Sequence, residues 1–139
     1  MPFVNVTRLR LRSFRYLPPF LWMAFRTSRQ ARQAQGLLSG SVLSDRVMTF
    51  WTLTMWDDQD SMRRYMTAGA HRAAMPRLMT WCDEASVVHW TQAEPTLPSW
   101  QVADQHMRSE GRPSKVRFPS PDHATLAYRP PRMGRGAPL

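Results

Sequence analysis

Cys82 is the only thiol in this 139-residue chain, so an internal disulfide framework is excluded, and no Cys-x-x-Cys or His-rich spacing offers a zinc site. No apolar run approaches the roughly 18 residues needed to cross a bilayer; the longest is interrupted by arginines and by Pro18 and Pro19. A secretory signal is missing too, because residues 3–12 alternate apolar with polar or arginine side chains instead of running apolar. The chain therefore reads as cytoplasmic. Lysine is almost absent, with Lys115 alone among 19 basic residues, a bias of composition rather than of phosphate recognition, since both residue types contact phosphate. No Gly-x-Gly-x-x-Gly, Gly-x-x-x-x-Gly-Lys or Gly-x-Ser-x-Gly occurs, which leaves nucleotide binding and elbow-serine hydrolysis without support.

What is present is ordinary globular usage, 42% hydrophobic and 21% charged, enough for one modest core. The net charge of +9 is uneven: residues 1–35 carry +7, residues 36–105 carry −3 and residues 106–139 carry +5. An acidic middle, with no continuous basic face interleaved with aromatics, gives a nucleic-acid interface no support.

Strict alternation over residues 2–12 predicts a strand, with Phe3, Asn5, Thr7, Leu9 and Leu11 on one side and Val4, Val6, Arg8, Arg10 and Arg12 on the other. Pro18 and Pro19 suit a first helical turn. Leu17, Phe20, Leu21, Ala24 and Phe25 then recur at helical spacing, with Arg26, Arg29 and Arg32 toward water, until Gly36 stops the helix. Ser41–Ser44, Asp45-Arg46 and Val47–Trp56 read as a hairpin whose second arm carries large residues on both faces, so both must be covered. Asp57 and Asp58 favour a helix start. Gly69 and Pro76 divide that helix into segments of about 59–68 and 70–82, with His71, Met75, Leu78, Met79 and Cys82 sharing an inward face. Residues 85–92 form a fourth strand, on which His89 and Trp90 point to opposite faces. Ser99 to about Glu110 is a short helix, and the proline-rich end reads as disordered. The expected organisation is a domain over 1–94, an extension over 95–118 and a disordered tail over 119–139.

The βαββαβ order is the ferredoxin-like split unit, an α+β fold in which helices cover one sheet face. An uncovered apolar second face predicts a symmetric homodimer packed sheet to sheet. With this order on the page, Phe50-Trp-Thr-Leu-Thr-Met-Trp56, the Asp-rich helix start and Gly69-Ala-His-Arg-Ala-Ala-Met-Pro76 resemble the dimeric α/β-barrel superfamily of antibiotic biosynthesis monooxygenase-like proteins, over about residues 2–92. Ala70-His71-Arg72, Trp81–Trp90 and Gly111–Lys115 are similar to stretches of uncharacterised bacterial proteins described as spheroidene monooxygenase-like. The resemblance implies oxidation of a hydrophobic or aromatic small molecule in a pocket between sheet and helices, either without a cofactor or with heme. The heme-degrading branch implies an Asn on the first strand, matched by Asn5, but Tyr65 stands where its Trp would fall and Met75 where its ligating His would fall. His71, one turn earlier, is the remaining candidate for iron.

The catalytic candidates are therefore His71, Asn5 and Tyr65, with Trp51, Met75 and Phe25 as substrate-binding residues. A neutral imidazole at His71 suits proton transfer or iron ligation, although an inward histidine is more often satisfied by a carbonyl. Asn5 among Phe3 and Leu9 needs a partner for its amide, from backbone or from ligand. Tyr65 could orient a substrate or simply pack its ring. A non-catalytic small-molecule or heme-binding homodimer is the alternative reading.

Overall fold

The computed structural model describes residues 1–46, 48–131 and 136–139. Strand β1, Phe3–Leu11, leads through a 3-10 turn at Phe14–Tyr16 into helix α1, Leu17–Gln33, whose first turn holds both prolines. The hairpin strands are β2, Leu37–Ser44, and β3, Thr49–Trp56. Val47, which the alternation assigns to the second arm, lies outside the described residues. Helices α2, Gln59–Met66, and α3, Gly69–Trp81, precede β4, Cys82–Thr91; helix α4, Trp100–Glu110, follows, with two-residue strands β5, Arg112–Pro113, and β6, Ala137–Pro138. The six strands are ordered β5-β4-β1-β3-β2-β6. β1 pairs antiparallel with both β3 and β4, so the core is the ferredoxin-like α+β arrangement.

Local chemistry explains the boundaries. The Asp58 carboxylate accepts from the Ser61 amide at 2.8 Å and the Ser99 hydroxyl from the Val102 amide at 3.2 Å, so both helices begin on a side-chain cap. Gly36 and Gly69 take φ of +96° and +53°, the left-handed turns that end α1 and separate α2 from α3. Pro76, expected to bend the chain, is carried inside α3. Cys82, expected on the inward face of the helix, instead opens β4 opposite Leu11.

The two faces of the sheet have different fates. The odd residues of β1 face α1–α3: Phe3 clusters with Trp56 and Met62, and Leu11 with Phe20 and Cys82. The even residues Val4 and Val6 join Trp51, Leu53, Met55 and Val88 beneath Trp100, Ala103 and Met107 of α4, with Tyr128 completing the layer. The face expected to await a second copy is thus covered within the chain. Sheet-to-sheet pairing would require α4 and its following segment to leave, or to exchange between copies.

Part of the stretch expected to be disordered is what holds this cover down. Tyr128 is 8% exposed; its hydroxyl donates to Asp104 at 2.7 Å, and the Arg8 and Arg108 guanidinium groups lie 4.3 and 4.2 Å from its ring centroid. Arg8, itself buried, donates to Glu84 at 2.7 Å, and Ser120 donates to the other Glu84 oxygen at 2.7 Å. His123 adds contacts to Ser114 O and the Ala85 amide, and Ala137–Pro138 extends the edge of β2. Residues 132–135 lie outside the described residues.

Burial pushes the Glu84 carboxyl up, but hydrogen bonds from Ser120 and Arg8 and the charges of Arg8 and Arg10 outweigh it, so its pKa lies below the ordinary 4.5. A carboxyl lowered on folding contributes stability that is complete above its unfolded value and lost as pH falls through the folded one. The cover should accordingly loosen in acid below about pH 4.5. Glu84→Ala, which strands the Arg8 charge, should cost about 3–5 kcal/mol at neutral pH by urea unfolding, and the variant should lose this segment of the acid dependence. Wild-type stability at neutral pH in the variant would contradict the arrangement.

Candidate functional site

On the face under α1–α3, the sheet carries a polar band between the two apolar clusters. Cross-strand register sets Asn5 between Thr54 and His89, and Thr7 between Thr52 and Val87. Thr7, Thr52, Val87 and His89 are only half-buried on this face. Asn5 is 9% exposed, and its Oδ1 has no hydrogen-bond partner. Arg8 Nε, Ser86 Oγ and His106 Nδ1 likewise lack a hydrogen bond among the described residues, His106 Nδ1 lying 3.7 Å from Glu110 Oε2, but they sit on the α4 side; Asn5 Oδ1 faces α1–α3. A buried amide oxygen without a donor costs about 1–3 kcal/mol, a cost that a ligand hydroxyl would remove.

Aromatic contacts join this band to His71. The Thr54 hydroxyl accepts from Trp56 Nε1 at 3.0 Å, the Trp56 ring lies 5.2 Å from that of Tyr65, and the Tyr65 ring 4.9 Å from that of His71. His71 Nδ1 is 3.1 Å from the Met66 carbonyl, so Nδ1 carries the hydrogen and Nε2 retains a lone pair. Burial lowers the His71 pKa below the ordinary 6.5, the Met66 carbonyl acting in the opposite direction, so the ring is a neutral base at physiological pH. Gln30 of α1 fixes this corner: its Oε1 accepts from the His71 amide at 2.8 Å, and its Nε2 donates to the carbonyls of Tyr65 and Ala68 at 3.0 and 2.8 Å. One side chain thereby satisfies the end of α2 and the start of α3.

Of the six candidates, Asn5, Tyr65 and His71 share this side of the sheet. Tyr65 contributes its ring rather than its hydroxyl, which donates to Thr27 O at 3.1 Å and is pushed up to about 12 by burial, against the lowering effect of that bond. Trp51 is on the opposite face, fully buried, with its ring 6.4 Å from Trp100 and 5.6 Å from Tyr128. Its odd position beside Arg8 in the register sends it there. Phe25 and Met75 point outward, 52% and 44% exposed, because α1 and α3 bury Phe20, Ala31 and Ala74 instead. The spacing of Leu21 and Phe25 with Phe20 is shared by two neighbouring arcs of one helix, and packing selected the other arc.

His89 and Gln30 were missed. Alternation left the facing of His89 open; the register resolves it, with His89 beside Asn5 and 5.2 Å from the Phe3 ring, while Trp90 stacks on His106 at 3.7 Å. Nothing local marks Gln30, whose partners lie 35 to 41 residues away.

The donor set implied by the heme-degrading branch is not reproduced here. The thioether of Met75 occupies the implied ligand position and points outward, and His71 is flanked by the Tyr65 ring. Burial and the Asp83 charge push the Cys82 thiol up to about 12, leaving it inert as a nucleophile or thiolate ligand.

If Asn5 is held for a ligand rather than for the fold, removing its amide should stabilise the protein. Asn5→Leu is expected to gain about 1 kcal/mol in urea or thermal unfolding. A loss of stability would mean that the amide has a structural partner.

No family model and no curated protein matches the sequence. Solved structures do match in fold. SnoaB, a cofactor-independent oxygenase from Streptomyces nogalater, aligns at 18% identity with TM-score 0.56, covering 70% of this chain and 97% of its own. An antibiotic biosynthesis monooxygenase aligns at 12% identity and TM-score 0.59, covering 66% and 99%. A conserved protein from Methanosarcina mazei Go1 gives 12% and 0.60 over 67% and 94%. The chain thus shares the fold of these structures over about two thirds of its length.

Proposed function

We propose that the chain is an oxygenase that uses no cofactor and acts on a hydrophobic aromatic molecule with an acidified C–H bond, held over the polar band beneath α1–α3. The observation that carries this reading is the unpartnered, buried Asn5 Oδ1 on the same side of the sheet as the neutral His71. The fold shared with oxygenases points the same way.

In this reading Asn5 Oδ1 accepts from a phenol or enol O–H of the substrate and sets its orientation. His71 Nε2 removes a proton from the activated carbon, and the resulting carbanion passes electrons to dioxygen. An activated CH2 and O2 become C=O and H2O, with the imidazolium returning the proton that completes the water. Phe3, Trp56 and Tyr65 pack together beside the band, an apolar and aromatic neighbourhood that suits a flat ring system. One chain supplies every group named. A barrel-forming dimer is compatible with it only if α4 is displaced or exchanged.

Oxygen uptake with anthrone, a tricyclic ketone with an acidified methylene, tests the proposal. His71→Ala should lower kcat by about 100-fold or more while leaving anthrone binding nearly unchanged, and Asn5→Ala should act chiefly on KM. Because burial holds the His71 pKa below 6.5, the acid limb of the kcat profile should fall below that pH. Saturable anthrone binding without oxygen uptake would replace the oxygenase by a simple binding protein. Uptake insensitive to His71→Ala would remove the base from the mechanism.

A further inference from the structure

Helices α1 and α3 form the outer layer of the molecule, and neither contains an aspartate or glutamate. Arg26, Arg29 and Arg32 on α1 and Arg72 and Arg77 on α3 are all exposed, and none makes an ion pair among the described residues. The acidic groups of the chain lie on other elements, Asp57, Asp58 and Asp60 at the start of α2 among them.

Apolar side chains are exposed on the same layer. Leu21, Trp22 and Phe25 are 50%, 64% and 52% exposed, and the Trp22 and Phe25 rings stack at 5.9 Å. At 100° per residue, Leu21, Phe25 and Trp22 fall within an arc of about 100°, and Arg29 and Arg32 continue that arc toward the C-terminal end. The outward face of α1 is therefore apolar in its first half and cationic in its second. A large apolar cluster bordered by unpaired arginines is the pattern of a helix lying in a lipid headgroup layer, with aromatic rings at the acyl boundary and guanidinium groups on phosphate.

We propose that the α1–α3 face docks on an anionic phospholipid surface. Charge complementarity selects this occupant. A second copy of the chain would set arginine against arginine, and a nucleic acid would leave Leu21, Trp22 and Phe25 without an apolar environment. No helix of the described residues is long and apolar enough to cross a membrane, so the association is peripheral. The surface is separate from the polar band and stands whether or not the oxygenase reading does.

Co-sedimentation of the full chain with phosphatidylglycerol/phosphatidylcholine vesicles tests it. Binding is expected at low salt and release at about 0.5 M salt, where the Debye length shrinks to a few ångströms. Pure phosphatidylcholine vesicles should bind far less. Replacing Arg26, Arg29 and Arg32 by Gln should weaken binding about 100-fold, and Trp22→Ala with Phe25→Ala should weaken it at constant charge. All five positions are exposed, and unchanged thermal melts would show that the variants fold. Failure to bind anionic vesicles, equal binding to both vesicle types, or indifference to these substitutions would overturn the proposal. So would tighter binding to duplex DNA that survives loss of Trp22 and Phe25.

Discussion

A sheet with large apolar residues on both faces must be covered twice, and this requirement organises the molecule. β3 shows it most plainly, with Trp51, Leu53 and Met55 turned one way and Phe50 and Trp56 the other. Crossover helices cover the second set, as the βαββαβ order dictates. The first set is covered by α4 and Tyr128, and the buried Arg8 joins that cover to the sheet through Glu84 and the Tyr128 ring. An arginine in the middle of a central strand would otherwise be a costly burial. Here its charge is what the covering segment is built around.

Because the second face is filled inside the chain, the helix side is left free to be imperfect. Its core is divided into two apolar clusters, and the interval between them is occupied mainly by polar side chains, Asn5, Thr54, Thr7, Thr52 and His89, with Val87 beside Thr7. Sequences that specify one fold violate local rules mainly where function requires it. In the proposed oxygenase reading the unpartnered Oδ1 of Asn5 is such a violation, and His71, held by Gln30, Met66 and Tyr65 on the same side of the sheet, is the base.

Most of the fold was legible in the sequence. Period-two alternation marked β1 and β3, Asp58 marked the start of α2, Gly69 marked the break before α3, and element order led to the ferredoxin-like topology. Asn5 and His71 were legible as chemical oddities on apolar faces. Facing was harder to read. Alternation says that Trp51 and Phe50 point apart, but not which of them meets the helices, because both faces of that strand are apolar. Helical spacing cannot choose between two arcs of α1, and Phe25 lies on the arc that packing leaves exposed. The role of the C-terminal segment was hidden by its prolines, which suggest disorder; its hold on the sheet depends on Tyr128, Ser120 and His123 meeting residues distant in the chain.

The proposed oxygenase requires a small molecule to sit on the polar band beneath α1–α3. Titration of anthrone into isotopically labelled protein, followed by amide chemical shifts in two-dimensional NMR spectra, addresses this directly. The predicted result is a saturable set of shifts centred on Asn5, Thr54, His71 and His89, with Arg8, Ser86 and Tyr128 undisturbed. Shifts confined to the α4 side, or none at concentrations that saturate turnover, would contradict it.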